Sequence, residues 1–420
     1  MVQSTEAGSD SRDDAGADDA GADDTRDGGP YWDPYDVDID ADPYGVWQRL
    51  RDEAPVYRNE RFDFWALSRF DDIEAAHRDP ATYSSAHGTV LEMMTERPYP
   101  GSMMIFMDPP EHTRLRSLVS RAFTPRRIGS LEDRIRGFAR DLLDAWVPGE
   151  PFDFVQQFGA RLPSMVISSL FGVPAGDQEH VRHLIDTVFH LDPDHGMIND
   201  IAFAARIELH EYLLDQLRQR VAHRTDDMLT ALVEAELDED GVTRRLTLEE
   251  SAEFANLLIS AGTETVARLL GWASVLLARH PDQRADLAAE PSLVPNAIEE
   301  LLRYEAPSPV NGRWTTRDVE LHGSTIPAGS KVLLITGSAG RDEGKYPDAD
   351  RFDVRRQFDH HVSFGYGIHF CLGAALARME GRIGLEEVLA RHPAWEVDEA
   401  RAVRLHTSTV RGWVNVPVTA

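Results

Sequence analysis

The sequence predicts one large, mainly α domain with a small β-rich lobe, and three observations carry that expectation. Apolar residues recur at helical spacing through most of the chain from about residue 30 to residue 420. Short aromatic and β-branched runs gather near the start of that body and again in its last third. Neither a Gly/Ser- or Pro-rich linker nor an internal repeat divides it, so 420 residues are expected to share one core.

Composition narrows the function. A net charge of −29 argues against nucleic acid or an anionic membrane surface as a general partner. One cysteine excludes an internal disulfide and suits a cytoplasmic setting. The start is acidic, without a basic stretch followed by an apolar run, so no signal peptide is expected. The most apolar long stretch, Phe254 to Ala278, carries Glu264 and Arg268 near its middle and reads as a buried helix, not a membrane span.

Along the chain, residues 1–29 hold nine acids against Arg12 and Arg26 with almost nothing apolar, and are expected to be a disordered tail outside the 30–420 domain. Pro43 to Glu53 and Asp71 to Arg78 read as helices, and Val56-Tyr57 and Phe64 to Leu67 as strands. Ser84 to Pro110 is a long loop ending in the apolar run Met103-Met104-Ile105-Phe106-Met107. From Pro110 to Phe123 a helix places His112 and Arg116 on one face. Five arginines and no acid fall between His112 and Ser130, suiting an anionic ligand inside or an acidic partner outside. Amphipathic helices are expected at Ile135–Trp146, Gln157–Phe171, Glu179–His190 and Asn199–His223, with a break at Asp192 to Gly196 and an acidic loop at Leu237–Arg245.

Thr247-Leu248-Glu249-Glu250 is a capping box that opens a helix lasting to His280-Pro281. At that length it is roughly 48 Å long and would cross the whole molecule. Midway, Ala261-Gly262-Thr263-Glu264-Thr265 combines small and β-branched residues with hydroxyls that can open a local bulge. Leu257, Ala261, Thr265 and Leu269 share one face.

The chemistry centres on Phe364-Gly365-Tyr366-Gly367-Ile368-His369-Phe370-Cys371-Leu372-Gly373. Two glycines at alternate positions let the backbone turn sharply and approach a flat ligand. A helix is expected from Leu372 to Arg391, which puts the sole cysteine at its N-terminus, where N–H groups favour a thiolate. Gly373 keeps the first turn open beside the sulfur. Such a sulfur is a good soft metal ligand, and haem iron is one metal that takes a single cysteine.

Position for position, this stretch resembles the haem-ligand loop of the cytochrome P-450 family, and the likeness extends from about Tyr31 to the C-terminus. It implies the fold of that family, with haem b bound through Cys371 between the long helix and the helix after the loop. It implies that Phe364, Gly365, His369, Gly373, Ala261 and Gly262 surround the cofactor, and that His112, Arg116, Arg313 and His369 meet its propionates. Ala261 to Thr265 resembles the family's oxygen-binding segment, which would make Thr265 the hydroxyl and Glu264 the acid of catalysis. Glu300-Leu301-Leu302-Arg303 resembles the family's structural salt-bridge helix. Its third partner is taken as Arg351, with Arg355 and Arg356 as competitors. The substrate wall drawn by resemblance includes Met103, Met104, Leu257, Ala261, Val310 and Thr409.

The resemblance implies a monooxygenase using O2, and no flavin or iron–sulfur motif supplies its electrons. A separate ferredoxin and reductase drawing on NAD(P)H are therefore expected, the ferredoxin docking near Arg114, Arg121, Arg126 and Arg127. The apolar wall leans toward a terpenoid, steroid or similar hydrophobe. The rivals are a haem-thiolate isomerase, dehydratase or coupling enzyme, a haem-based sensor, and a cysteine hydrolase, for which no His–acid pair surrounds Cys371.

Overall fold

The computed structural model of the chain describes residues 28–101, 103–120, 125–189, 199–239 and 242–420, apart from the side chains of residues 125–126, 237–239 and 242. Residues 1–27, and with them nearly all of the acidic segment, lie outside that description, as do Arg121, the 192–196 break and the side chain of Arg126.

A single helix, Leu248–Arg279, runs through the core. Both halves of the capping box at its start are present: Thr247 Oγ1 accepts from the Glu250 N–H at 3.1 Å, and the Thr247 N–H donates to Glu250 Oε2 at 2.8 Å. Its far end stops at His280, ahead of Pro281. The helix is apolar around most of its surface because other elements pack on several sides: Arg161–Phe171, Asp200–Ala222, the C-terminal helix Ala374–Arg391 and the strand Arg411–Asn415. The expected bulge is absent. Thr263 and Thr265 donate their hydroxyls to the carbonyls of Ile259 and Ala261, and these bonds sit beside the helix's own without breaking it.

The β lobe is a five-stranded sheet. Its strands are β1 Val56–Asn59, β2 Phe64–Leu67, β3 Tyr83–Ser84, β4 Asn311–Thr315 and β5 Lys331–Leu334, in spatial order β1-β2-β5-β4-β3. Pairing is antiparallel except between β2 and β5. Beyond β4 a small hairpin, Val319–Leu321 with Ser324–Ile326, turns at His322 and Gly323, both at positive φ.

Several local expectations are corrected. The loop expected at 237–245 is an antiparallel hairpin, Glu236–Glu239 with Val242–Arg245, whose register sets Glu236 against Arg245. The helix expected from Gln157 is a π turn at Val155–Gly159 followed by the helix Arg161–Phe171. A further helix, Met228–Glu234, is capped by Asp227.

The helix Val294–Tyr304 braces the cysteine loop. Glu300 and Arg303 are both fully buried and paired at 2.7 Å. The third member is Arg356, whose Nε lies 3.3 Å from Glu300 Oε1, and not Arg351. The Arg351 side chain is 69% exposed and faces Asp353, because its short turn points the side chain outward and offers only its carbonyl to Arg303 and Arg356. Gly340 lies so close to this cluster that a Cβ there would strike the Arg303 carbonyl. The same helix reaches the loop directly: Ser363 Oγ donates to the Leu302 carbonyl at 2.6 Å, and Glu299 accepts from Arg378 on the C-terminal helix at 2.7 Å.

Candidate active site

A cavity of about 310 Å³ opens between the central helix and the cysteine loop. Ala261 and Thr265 lie in mid-helix yet keep exposed surface, which is possible only because that face looks into this space. On the opposite wall, Gly365 and Gly367 adopt φ of 68° and 67°, the left-handed region that favours glycine. At Gly367 a Cβ would also strike the His77 carbonyl. This turn closes with the Cys371 N–H donating to the Phe364 carbonyl at 2.9 Å.

Cys371 lines the cavity beside Phe364, Leu372 and Gly373. The helix behind it starts at Ala374, two residues later than expected, with Gly373 as its cap. The sulfur receives the Gly373 and Ala374 N–H groups, and Arg116 and Arg378 add positive charge. Burial nevertheless outweighs them and pushes the thiol pKa up, so the helix end alone does not make the thiolate. A cation at the sulfur supplies what is missing.

Whether haem fits is decided by side chains that lack partners. Arg313 is wholly enclosed, and its bonds go to the neighbouring Gly312 carbonyl and to His77 Nδ1 at 3.4 Å, with no carboxylate. Burial lowers its pKa to about 10, and the more distant Asp108 carboxylate offsets this only in part. His77 Nε2, His369 Nε2 and both ring nitrogens of His112 are buried without any hydrogen-bond partner among the described residues. The rings of His112 and His369 lie 4.2 Å apart. Burial holds His112 and His77 at about 4 and about 3, so these imidazoles are neutral and their N–H groups can donate. Arg116 also lines the cavity, and its Nη2 donates to the Phe370 carbonyl at 2.5 Å. Two guanidiniums and three imidazoles with open ring nitrogens around one enclosed space call for buried carboxylates, and haem brings two propionates. The donor set fits the cofactor.

His77 was not among the expected site residues. It lies on the helix Phe70–Arg78, at spacings of seven and four from the buried Phe70 and Ile73. A histidine in an apolar stripe was the available signal.

The remaining expectations divide. Met104, Leu257, Ala261, Gly262 and Thr265 line the cavity. Met103, Val310 and Thr409 do not. Met103 precedes the 3-10 turn Met104–Phe106 and its sulfur meets Arg206 instead. Val310 turns into the packing around Trp47, Leu91 and Met94, since its neighbour Asn311 takes the cavity side of β4. Thr409 is held in the turn closed by Thr407, whose hydroxyl accepts from the Thr409 and Val410 N–H groups. Glu264 is not on the wall either: it forms a buried ion pair with Arg268, whose Nε lies 2.9 Å away. Arg268 reaches on to the Trp413 carbonyl, and Gly412 leaves room for it, since a Cβ there would stand 2.7 Å from Arg268 Cδ. Of the basic run, Arg127 faces Asp226 at 3.4 Å.

Fold and site together define a protein built to hold haem through one cysteine thiolate. The chain belongs to the cytochrome P-450 family, whose family model matches residues 62–417. It is 42% identical over 389 residues to cytochrome P-450 123 of Mycobacterium tuberculosis, covering 92% of this chain and 96% of that protein. It is 40% identical over 384 residues to the vitamin D(3) 25-hydroxylase of Pseudonocardia autotrophica, covering 90% and 93%. Among solved structures, a mutant of P-450 EryK in complex with erythromycin B superposes with a TM-score of 0.83 at 34% identity, covering 92% of this chain and 98% of that one. The expected family and fold class are borne out. The general activity is that of a haem-thiolate monooxygenase. Among the described residues no helix is long and apolar enough to cross a membrane.

Proposed function

We propose that this chain inserts one oxygen atom of O2 into a bulky hydrophobic small molecule of terpenoid or steroid type. Its electrons would come from NAD(P)H through a separate reductase and ferredoxin. The observation that carries the reading is the pairing of Cys371 and Thr265 across one apolar cavity. Haem, when bound, supplies the redox chemistry of oxygen activation. Cys371 would hold it, with Arg313, Arg116, His112, His369 and His77 receiving its propionates.

The protein's own work is to orient, to exclude water and to move protons. Met104, Ile105, Ile167, Leu257 and Leu258 give the substrate side an apolar wall that keeps water away from the reacting carbon. Thr265 Oγ1 donates to the Ala261 carbonyl at 3.1 Å, and rotation about χ1 would free the hydroxyl to donate into the cavity instead. Glu264 would bring protons to that hydroxyl once its carboxylate leaves Arg268. The relative named as a vitamin D(3) 25-hydroxylase supports a sterol-like substrate. A basic docking face at Arg114, Arg121, Arg126 and Arg127 for an acidic ferredoxin is part of the same proposal.

The test is an optical titration of the haem-loaded protein with terpenoids, steroids, fatty acids and aromatic acids, followed by turnover with a ferredoxin, its reductase and NAD(P)H. A shift from low to high spin with terpenoids or steroids, and an oxygenated product from the same compound, is expected. Spectral binding followed by rearranged or dehydrated product without oxygen incorporation would overturn the oxygenase reading in favour of an isomerase or dehydratase. Failure to form a thiolate-haem spectrum would overturn both.

A further inference from the structure

Besides the cations and imidazoles that would meet the cofactor, the cavity wall carries a second, uncharged polar set, and it is built in an unusual way. Thr89, Ser308 and Asn311 all line the cavity, and among the described residues none of their side chains has a hydrogen-bond partner. They are adjacent by construction. The Gly312 N–H donates to the Thr89 carbonyl at 2.8 Å, and a Cβ at Gly312 would stand 3.0 Å from the Thr89 carbonyl carbon, so only glycine lets the two segments meet. Gly88, at φ of 108°, supplies the turn that brings Thr89 there. Ser308 stands three residues before Asn311, fixed by its own carbonyl, which accepts from Thr336 Oγ1 at 2.9 Å. Asn311 and Arg313 share one side of β4, so the amide lies on the same wall as the guanidinium but two residues along the strand.

We infer that Thr89, Ser308 and Asn311 form a neutral hydrogen-bonding subsite that recognises an alcohol or ketone oxygen on an otherwise apolar substrate. This rests on the monooxygenase reading and names the substrate class more closely. Two hydroxyls and an amide can donate to and accept from a neutral oxygen, but they offer no charge to compensate a buried carboxylate. When an apolar ligand fills the cavity and drives out water, these groups lose every partner unless the ligand provides one. A ligand oxygen therefore selects both the molecule and its orientation, and sets which carbon faces the Cys371 side.

The experiment is a spin-state titration of the haem-loaded protein with two matched pairs, androstanone against androstane and decalone against decalin. Haem content is measured on each sample. In the wild-type protein the ketone of at least one pair is expected to bind about tenfold more tightly than its hydrocarbon, the worth of one good hydrogen bond. Asn311→Leu is expected to abolish that preference while haem content stays unchanged, and Ser308→Ala to reduce it should Asn311→Leu fold poorly. An intact thiolate-haem spectrum with no ketone preference in either pair overturns this inference and leaves the enzyme class standing. Loss of haem on Asn311→Leu also overturns it, because the amide would then serve the cofactor. Absence of a thiolate-haem spectrum in the wild type would instead overturn the monooxygenase reading beneath it.

Discussion

Replacing Glu300 by Gln probes the brace behind the cysteine loop with the least change in shape. Its carboxylate accepts four hydrogen bonds: two from Arg303 at 2.7 and 2.8 Å, one from the Asp353 N–H at 2.9 Å and one from Arg356 at 3.3 Å. An amide cannot accept at both ends, so one NH2 would face an Arg303 N–H. More important, Arg303 would keep its charge at zero exposure with no counter-ion. Breaking one side of a buried pair costs about 3–5 kcal/mol, and that is the destabilisation expected for Glu300→Gln. Urea unfolding of the haem-loaded protein, followed by circular dichroism and by haem absorbance, measures it. Arg356→Gln removes a 3.3 Å contact from a carboxylate that keeps its closer partners, and should cost less. Arg351→Gln should cost within about 0.5 kcal/mol of nothing, since its side chain is 69% exposed and 3.6 Å from Asp353. Equal effects at Arg351 and Arg356, or a loss below about 1 kcal/mol for Glu300→Gln, would refute the assignment of the cluster.

Three further changes test other parts of the molecule. Arg313→Leu removes an enclosed cation that hydrogen-bonds no carboxylate among the described residues, and should weaken haem retention at least about tenfold in a transfer assay to apomyoglobin, while far-UV circular dichroism stays unchanged; undiminished retention would contradict a propionate role. Gly340→Ala forces a Cβ against the Arg303 carbonyl and should destabilise by about 1–3 kcal/mol in urea, whereas Gly137→Ala on the helix Glu132–Leu143, where a Cβ meets nothing, should not. At Glu299, burial pushes the carboxyl up but His361 and Arg378 pull it down further, to about 2. That stability is fully present above the unfolded value of about 4.3 and is lost as pH falls through the folded one. Glu299→Gln should therefore flatten the acid limb of the urea midpoint between those values, and an unchanged limb would count against the Glu299–His361–Arg378 cluster.

What could be read in the chain, and what could not, follows from how local each signal is. The capping box at Thr247 and Glu250, the stop at Pro281 and the glycines of the cysteine loop act within a few residues, and each has its expected local partner. The pairing of Glu236–Glu239 with Val242–Arg245 was not legible, because its charged strands lack the apolar alternation that marks a strand. Choosing between Arg351 and Arg356 was not possible from spacing. Both carry the same group near the same helix, and only the turn at 351–356 decides which one points inward. His77 required knowing that the helix Phe70–Arg78 comes to rest against Gly365 and Gly367, a contact nearly three hundred residues away in the chain.

Glu264 and Thr265 show why adjacency in sequence misleads at a helical site. Neighbouring helical residues point about 100° apart, so two side chains joined by one peptide bond cannot both face a narrow cavity. Thr265 takes the cavity, and Glu264 is left facing Arg268 and, at longer range, Asp186 on the helix Gln178–Val188. A carboxylate placed there without Arg268 would be a bare buried charge, and Arg268 in turn depends on the Trp413 carbonyl and on the space that Gly412 leaves. The acid's availability is therefore governed by the strand Arg411–Asn415, which packs along the central helix but is remote from Glu264 in the chain. If Glu264 moves protons, the step that limits it is the release of this ion pair, and Arg268 with its strand is where the protein controls that release.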